Sequence, residues 1–207
     1  MNKNTRITIA ALCLIISLTL SGCVVYPGDP AATPLPQLEK PVFADHEAAF
    51  ALYEQVTFPM MIDDVRQLMG EPVIDKLESG ESYSWRVGDY GLAAAFYDSG
   101  RLRGKVVQFE DIRQLTGLMP GQPNMSAGEQ LEEGMTYDDA VAMMGCEGLE
   151  ISQIAQDASA NPQLTRLMIW VDASGSQAQV EVDGSGKVVR TAMSLVQSSA
   201  EQSEPDE

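Results

Sequence analysis

One stretch of this sequence occurs twice, and that duplication constrains the possible fold more than any other feature. Residues 134–145 read Gly-Met-Thr-Tyr-Asp-Asp-Ala-Val-Ala-Met-Met-Gly, and residues 59–70 read Pro-Met-Met-Ile-Asp-Asp-Val-Arg-Gln-Leu-Met-Gly. The two copies start 75 positions apart, and self-similarity at such a spacing is the sequence signature of repeated structural units. We therefore expect two units of one design.

Each copy has the pattern of a short helix. Asp63-Asp64 and Asp138-Asp139 fall in the first turn, where the helix dipole favours negative charge. The apolar residues that follow recur at helical spacing, and each copy ends in a glycine, which suits the left-handed end of a helix. Thr136 provides an N-cap in the second copy, whereas Met61 stands at that position in the first. The helix at 62 is therefore expected to fray or to start differently.

Strand-like runs separated by glycine-containing turns follow each copy. The sequence thus predicts an α+β fold, a tandem repeat of two units, each with two short helices followed by an antiparallel meander sheet of three to four strands. Unit one is expected to hold helices at 45–56 and 62–69 and strands at 73–78, 82–87, 91–97 and 101–109. Unit two is expected to hold helices at 126–133 and 136–144 and strands at 150–154, 164–171, 177–182 and 187–195, with an insertion at 155–162.

The N-terminus resembles a bacterial lipoprotein signal peptide. Residues 1–6 carry two cations, and an apolar run of 14 residues, 7–20, follows. A spanning helix needs about 20 apolar residues, so this run suits a signal peptide better than a permanent anchor. The next residues, Leu20-Ser-Gly-Cys23, are similar to a lipobox, which implies cleavage after residue 22 and diacylglyceryl modification of Cys23. An uncleaved signal anchor is the alternative.

The predicted domain order follows from these features. Residues 1–22 form the signal peptide and 23–41, which carry five prolines, form an extended tether that reaches on the order of 50 Å. Unit one occupies 42–117, a linker 118–125 and unit two 126–196. The polar, acidic tail 197–207 is expected to be disordered.

Charge and cysteine content exclude several functions. The net charge is −17, and loss of Lys3 and Arg6 with the signal peptide leaves 11 basic against 30 acidic residues, a net charge of −19. Such a surface repels phosphate backbones, so no nucleic-acid partner is expected. Only Cys146 remains in the body, as a structural thiol or one half of an intermolecular disulfide. With a single histidine, His46, expected to be solvated in a first helical turn, no metal, cofactor or catalytic centre is predicted, and we expect no enzyme.

The repeated unit resembles that of the β-lactamase-inhibitor-protein-like group and of the small BamE/SmpA-type envelope lipoproteins, with PepSY-type repeats as a rival resemblance. The matching positions in unit two are Gly134, Met135, Thr136, Gly145, Trp170, Gly186, Lys187 and Val188. Those in unit one are Met60, Gly70, Trp85, Gly100, Arg101 and Leu102, with Pro59 in place of the glycine and Met61 in place of the threonine. The resemblance implies a non-catalytic protein that offers its sheets to another protein, or an inhibitor or sensor module acting on a secreted or envelope enzyme.

Two sets of residues are the candidate site. The aspartate pairs could act as acids, bases or metal ligands, but their place in a helical first turn favours dipole complementation. Trp85 and Trp170 are expected in the core. If Trp170 points inward, then Leu167, Ile169 and Val171 form an apolar stripe on the other face of the strand, covered either by the first unit or by a partner.

These observations together predict a lipid-anchored scaffold or binding lipoprotein. It would sit on the extracytoplasmic side of the cell membrane or outer membrane, held through lipidated Cys23, and bind another envelope or secreted protein through its repeat sheets. Leu167, Ile169 and Val171 form the possible protein-binding face. The oligomeric state is not defined by the sequence.

Overall fold

A computed structural model describes residues 46–77, 80–87 and 90–196 of the chain. All eight of its strands belong to one antiparallel sheet, and their order in the sheet is their order along the chain, so the fold is an α+β meander. The strands are β1 (Val73–Leu77), β2 (Gly80–Val87), β3 (Tyr90–Phe96), β4 (Leu102–Phe109), β5 (Leu149–Ala155), β6 (Leu164–Val171), β7 (Gln177–Val182) and β8 (Val188–Ser194). The predicted strands are therefore confirmed, and each of their ends lies within two residues of its predicted position.

The helices precede each group of four strands. Three are α-helices: α1 (His46–Gln55), α2 (Ile62–Met69) and α3 (Tyr137–Met144). Two further segments are 3₁₀ helices, Ile112–Leu118 after β4 and Met125–Gln130 before α3. The helix predicted at 126–133 is thus a shorter 3₁₀ turn. The segment 112–118 was not predicted as a helix, although Ile112, Leu115 and Leu118 recur at the three-residue period of a 3₁₀ helix.

A three-residue seam joins the two groups of strands into one sheet. Gly104, Lys105 and Val106 of β4 pair with Ile154, Gln153 and Ser152 of β5. The other neighbouring strands pair over five to seven positions. The sheet is therefore continuous, but its middle is held by the shortest ladder.

The first hydrophobic cluster lies under α1. This helix buries Ala49 and Tyr53 against large side chains of the first four strands, including Trp85 and Leu92, and Val56, directly after the helix, is buried in the same cluster. Each large apolar side chain that is fully buried stabilises the fold by about 1.5–3 kcal/mol relative to its exposed state. The stripe at helical spacing that predicted α1 is therefore the face that holds this helix on the sheet.

The second cluster lies under α3. Ala140 and Met144 of the helix are fully buried beside Trp170 of β6 and Val180 of β7. The helix ends as its sequence predicts, since Gly145 adopts a left-handed conformation with φ of 80° and its N–H bonds to the carbonyl of Val141. In the first group of strands Gly70 also has a positive φ, 78°, at the end of α2.

The start of α2 corrects the expectation that this helix frays. It begins at Ile62, the position that matches the start of α3 in the duplicated stretch. No side chain caps it at Met61, but the Asp64 carboxylate accepts the Met61 N–H at 3.0 Å. The Ile62 N–H is bonded to the carbonyl of Gly100, and Met61 forms a β-bridge with Arg101. The start of α3 has the equivalent bonds, from the N–H of Tyr137 to the carbonyl of Gly186 and in a β-bridge of Thr136 with Lys187, so α2 differs only in lacking the threonine cap.

Candidate binding surfaces

Strand β1 is the outermost strand on one side of the sheet, and it is exposed on both faces. It pairs with β2 alone, and all five of its residues are exposed. Val73 is 57 % exposed, Ile74 44 % and Leu77 38 %. An unpaired strand edge with large apolar side chains is a template for pairing with another extended chain. The sequence predicts the strand but not this exposure, because a run that mixes apolar and charged residues without regular alternation does not define a buried face.

The charges on β1 are unevenly matched. Lys76 stands opposite Glu81 of β2, whereas Asp75 stands opposite Ser82, a neutral residue. Among the described residues, Asp75 takes part in no ion pair within 4.0 Å. The middle of the edge strand therefore presents a carboxylate between two apolar side chains of the same face, Val73 and Leu77.

The opposite end of the sheet, β8, is a less apolar edge. Its Val189 is 42 % exposed, but Arg190 beside it is bonded to Glu181 of β7 at 3.1 Å. Val188, the first residue of the strand, is buried under α3. Of the two edges, β1 combines the larger apolar exposure with the unmatched charge.

The stripe predicted as a possible protein-binding face lies in the core. Ile169 is fully buried and Val171 is 1 % exposed, and both belong to the first cluster with α1 and Leu115. Leu167 packs against the same cluster. Met168 and Trp170, on the other face of β6, belong to the second cluster. Residues that precede β5 in the chain cover this stripe, so the stripe is not an exposed surface.

The tryptophans occupy matching positions in the core. Trp85 is 4 % exposed and Trp170 is fully buried. The indole N–H of Trp85 donates to the carbonyl of Gly70 at 2.8 Å, and that of Trp170 donates to the carbonyl of Cys146 at 2.8 Å. Each indole thus holds the end of the preceding helix to the sheet, and the prediction of core tryptophans is confirmed.

The aspartate pairs lie at helix starts, as the sequence predicts. Thr136 Oγ accepts the N–H of Asp139 at 3.1 Å, and its hydroxyl donates to the Asp139 carboxylate at 2.7 Å. Asp63 is paired with Arg66 on the surface at 3.6 Å. The part of the chain that the structure describes contains no group of three or more metal-ligating side chains. Asp139 and Asp63 are therefore bonded to other residues of the helices that carry them.

The remaining sequence candidates are placed as follows. Cys23 lies outside the described residues. His46 is the first residue of α1, and its side chain is not described. Cys146 is a half-buried free thiol, and burial raises its pKa.

A buried polar network connects the two groups of strands, and sequence reasoning missed it. Lys105 of β4 is 3 % exposed, and its ammonium donates to the carbonyl of Tyr53 in the last turn of α1 at 2.7 Å. The Tyr53 hydroxyl donates to Glu150 of β5 at 3.0 Å. Glu150 lies 4.0 Å from Arg166 of β6, whose guanidinium stacks over the ring of Tyr137 in α3. The chain of contacts thus runs from α1 to α3.

The electrostatics of this network follow from burial. Burial lowers the pKa of Lys105 to about 8, although Glu150 and Glu54 act in the opposite direction. Burial also raises the pKa of Tyr53, and the neighbouring Glu150 raises it further. The Lys105 ammonium lies 3.8 Å from the centre of the Tyr53 ring and at the carboxyl end of α1, two positions that favour a cation. The cation is therefore held by a ring and a helix end, and its hydrogen bond goes to the backbone.

Comparison with known proteins adds no family. The chain matches no protein-family model, and no curated protein sequence matches it. Among the described residues, no helix has the length and hydrophobicity to cross a membrane.

Proposed function

We propose that this protein is a non-catalytic, lipid-anchored binding protein on the extracytoplasmic face of a bacterial envelope membrane. The binding role is supported by one observation above others, the exposed apolar edge strand β1 on a folded and strongly acidic body. Surfaces of this kind on soluble domains are sites of protein association. Anchoring is supported by the Leu20-Ser-Gly-Cys23 sequence after a short apolar run.

Burial of the titratable side chains favours binding over catalysis. Lys105 and Tyr53 are the most perturbed groups among the described residues, and both are nearly inaccessible to solvent. Their polar atoms are bonded to other groups of the protein. A general acid or nucleophile must reach its substrate. The network is accordingly assigned to holding α1, β4 and β5 together.

We also propose that the body is a tandem of two copies of one unit. Support comes from two correspondences beyond the duplicated stretch. The residue before each duplicated helix forms a β-bridge with the residue that starts the fourth strand region, Met61 with Arg101 and Thr136 with Lys187. Each tryptophan indole bonds to a carbonyl at the end of that helix. The insertion predicted at 155–162 in the second copy overlaps the connection between β5 and β6, residues 156–163, which supports the same proposal.

The anchoring proposal predicts that a palmitate analogue labels the protein at Cys23. Cys23→Ser should lose the label and leave the precursor uncleaved, because the thiol is the site of acylation. Cys146→Ser and Cys13→Ser are matched controls that remove the other thiols and should keep the label. Fractionation and mass spectrometry of the mature N-terminus give the readout. A labelled, processed, membrane-bound Cys23→Ser protein would show that anchoring uses another residue.

A further inference from the structure

Building on the binding role proposed above, we propose that β1 accepts an extended segment of a partner protein as a ninth, antiparallel strand of the sheet. The segment would carry a lysine or arginine opposite Asp75 and apolar residues opposite Val73, Ile74 and Leu77. The partner is thus a protein with an extended segment that contains apolar residues and a basic residue. Main-chain hydrogen bonds would hold that segment, and a few side chains would give specificity.

The outer backbone edge of β1 is the first reason to expect the addition of a strand. β1 is hydrogen-bonded along one side to β2, from Val73 opposite Ser84 to Leu77 opposite Gly80. β1 ends the sheet, so the row of N–H and C=O groups on its other side is not used by any strand of the described sheet. Adding a strand at such an edge is a general mode of peptide recognition, in which main-chain bonds give affinity and alternate side chains give specificity.

The side chains of β1 are the second reason. Val73, Asp75 and Leu77 project from one face of β1, and Ile74 and Lys76 project from the other. An incoming strand would cover all three apolar side chains, which now lie 38–57 % exposed. The same strand would meet Asp75, which has Ser82 rather than a cation on its β2 side. Opposite charges directly across a strand pair are stabilising, so a basic residue fits this position.

Charge also argues against a second copy of this chain as the occupant. Two-fold pairing of two β1 strands over their full length is centred on Asp75, so the two Asp75 carboxylates would stand directly opposite each other. Like charges in that position are destabilising. Each copy also carries a net charge of −17, which adds a long-range repulsion. A basic partner is attracted both by the Asp75 carboxylate and by the net negative charge of the protein.

The test uses the full-length protein in detergent micelles and a capped fluorescent peptide, Thr-Val-Thr-Lys-Val-Val-Thr, measured by fluorescence anisotropy. Antiparallel pairing places its lysine opposite Asp75. We expect saturable binding that weakens by roughly tenfold when the peptide lysine is replaced by glutamate. Methylation of the peptide's backbone nitrogens at alternate residues can block either the N–H groups that face β1 or those that face away from it. Methylation of the set that faces β1 should abolish binding, because those N–H groups form the hydrogen bonds between the two strands.

A charge swap separates the edge contact from general attraction to an acidic protein. Asp75→Lys should bind the glutamate peptide better than the lysine peptide, the reverse of the natural protein. Ile74→Lys should weaken both, while Val189→Lys on β8 makes the same change of charge at the other edge and should leave both unchanged. These positions are exposed, so circular dichroism should show the natural fold for all three variants.

Other outcomes would overturn the inference. They are the absence of saturable binding, equal binding of the peptides methylated at either set of N–H groups, or loss of affinity in Val189→Lys as large as in Ile74→Lys. Sedimentation of the protein alone tests a second copy as the occupant, since self-association that Ile74→Lys abolishes would assign the edge to that copy. Palmitate labelling at Cys23 is measured separately, so a failed edge contact and a failed anchor give different results.

Discussion

Lys105 illustrates how one residue can fix the position of an element far away in the chain. Its ammonium lies under the last turn of α1 and bonds to the Tyr53 carbonyl, 52 positions away. Carbonyl groups at a helix end lack partners within the helix. A buried lysine there loses hydration but gains this hydrogen bond and the ring of Tyr53. The balance of these effects sets its low pKa and makes the stability of the fold depend on pH.

The sign of that dependence can be predicted. Between its folded pKa of about 8 and the ordinary value of 10.5, Lys105 is protonated in the unfolded chain but largely neutral in the folded one. The unfolded state then binds more protons, so the free energy of unfolding rises with pH. From pH 8 to 9 we expect a gain of up to roughly 1 kcal/mol. Lys105→Met should remove this slope in urea denaturation.

Other groups that titrate nearby define the control. Burial raises the pKa of Cys146, which lowers stability as pH rises through 9, so both proteins should carry Cys146→Ser. The raised pKa of Tyr53 also lowers stability as pH rises, but only from about pH 10, which is outside the range from pH 8 to 9. Parallel slopes for the two proteins would show that Lys105 does not titrate in this range.

At the scale of the element, α2 and α3 start with the same backbone bonds and differ in one side-chain cap. In both helices the first N–H donates to a glycine carbonyl, and the N-cap N–H donates to an aspartate of the first turn. Only α3 adds the hydroxyl of Thr136, and both helices have eight residues, so the shared bonds are sufficient without that cap. The difference between them is a measurable local energy.

Exchanging the caps should move stability in opposite directions. Thr136→Ala leaves the N–H of Asp139 without its acceptor and should lower the free energy of unfolding by about 1 kcal/mol. Met61→Thr supplies that acceptor to α2 and should raise it by up to about 1 kcal/mol, since the methionine side chain is 38 % exposed and little packing is lost. Urea denaturation gives both values. A stability loss in Met61→Thr would mean that the methionine contributes packing that outweighs a cap.

At the scale of the whole molecule, β6 makes one body of the two groups of strands. Its residues Leu167, Ile169 and Val171 complete the cluster under α1, and Met168 and Trp170 complete the cluster under α3. The β4–β5 seam has only three pairs, so the side chains of β6 add a second connection between the two groups of strands.

Ile169→Ala tests that packing. The side chain is fully buried, and its truncation should lower the free energy of unfolding by about 2–4 kcal/mol through lost contacts and the cavity left behind. Val189→Ala removes methyl groups from an exposed strand position and should change the value by less than about 0.5 kcal/mol. Equal effects of the two substitutions would place Ile169 outside the core.

The sequence predicted local structure well because its signals are local. The ends of β6 and β7 agree with the predicted ranges, since turns containing glycine flank β7 and proline precedes β6. Thr136 and Gly145 marked both ends of α3. These features depend on residues within a few positions of each other.

Features that depend on distant residues were not predictable in the same way. No local sequence feature connects Lys105 with Tyr53 and Glu150, so the buried polar network could not be predicted. The residues that cover Ile169 could not be predicted either, because an apolar stripe does not specify what packs against it. The exposure of β1 follows from its place at the end of the sheet, which is a property of the assembled order. The proposed binding surface therefore lies on β1 and not on β6.

The shared strand β6 has a consequence for how the chain acquires its fold during synthesis. The cluster under α1 includes Ile169 and Val171, so it stays incomplete until more than a hundred residues beyond α1 have been made. Until then the apolar face of the early strands has no cover from β6, which exposes a nascent chain to aggregation. We therefore expect the first half of the chain to reach its final packing only after β6 is available, whether the chain folds during synthesis or after export.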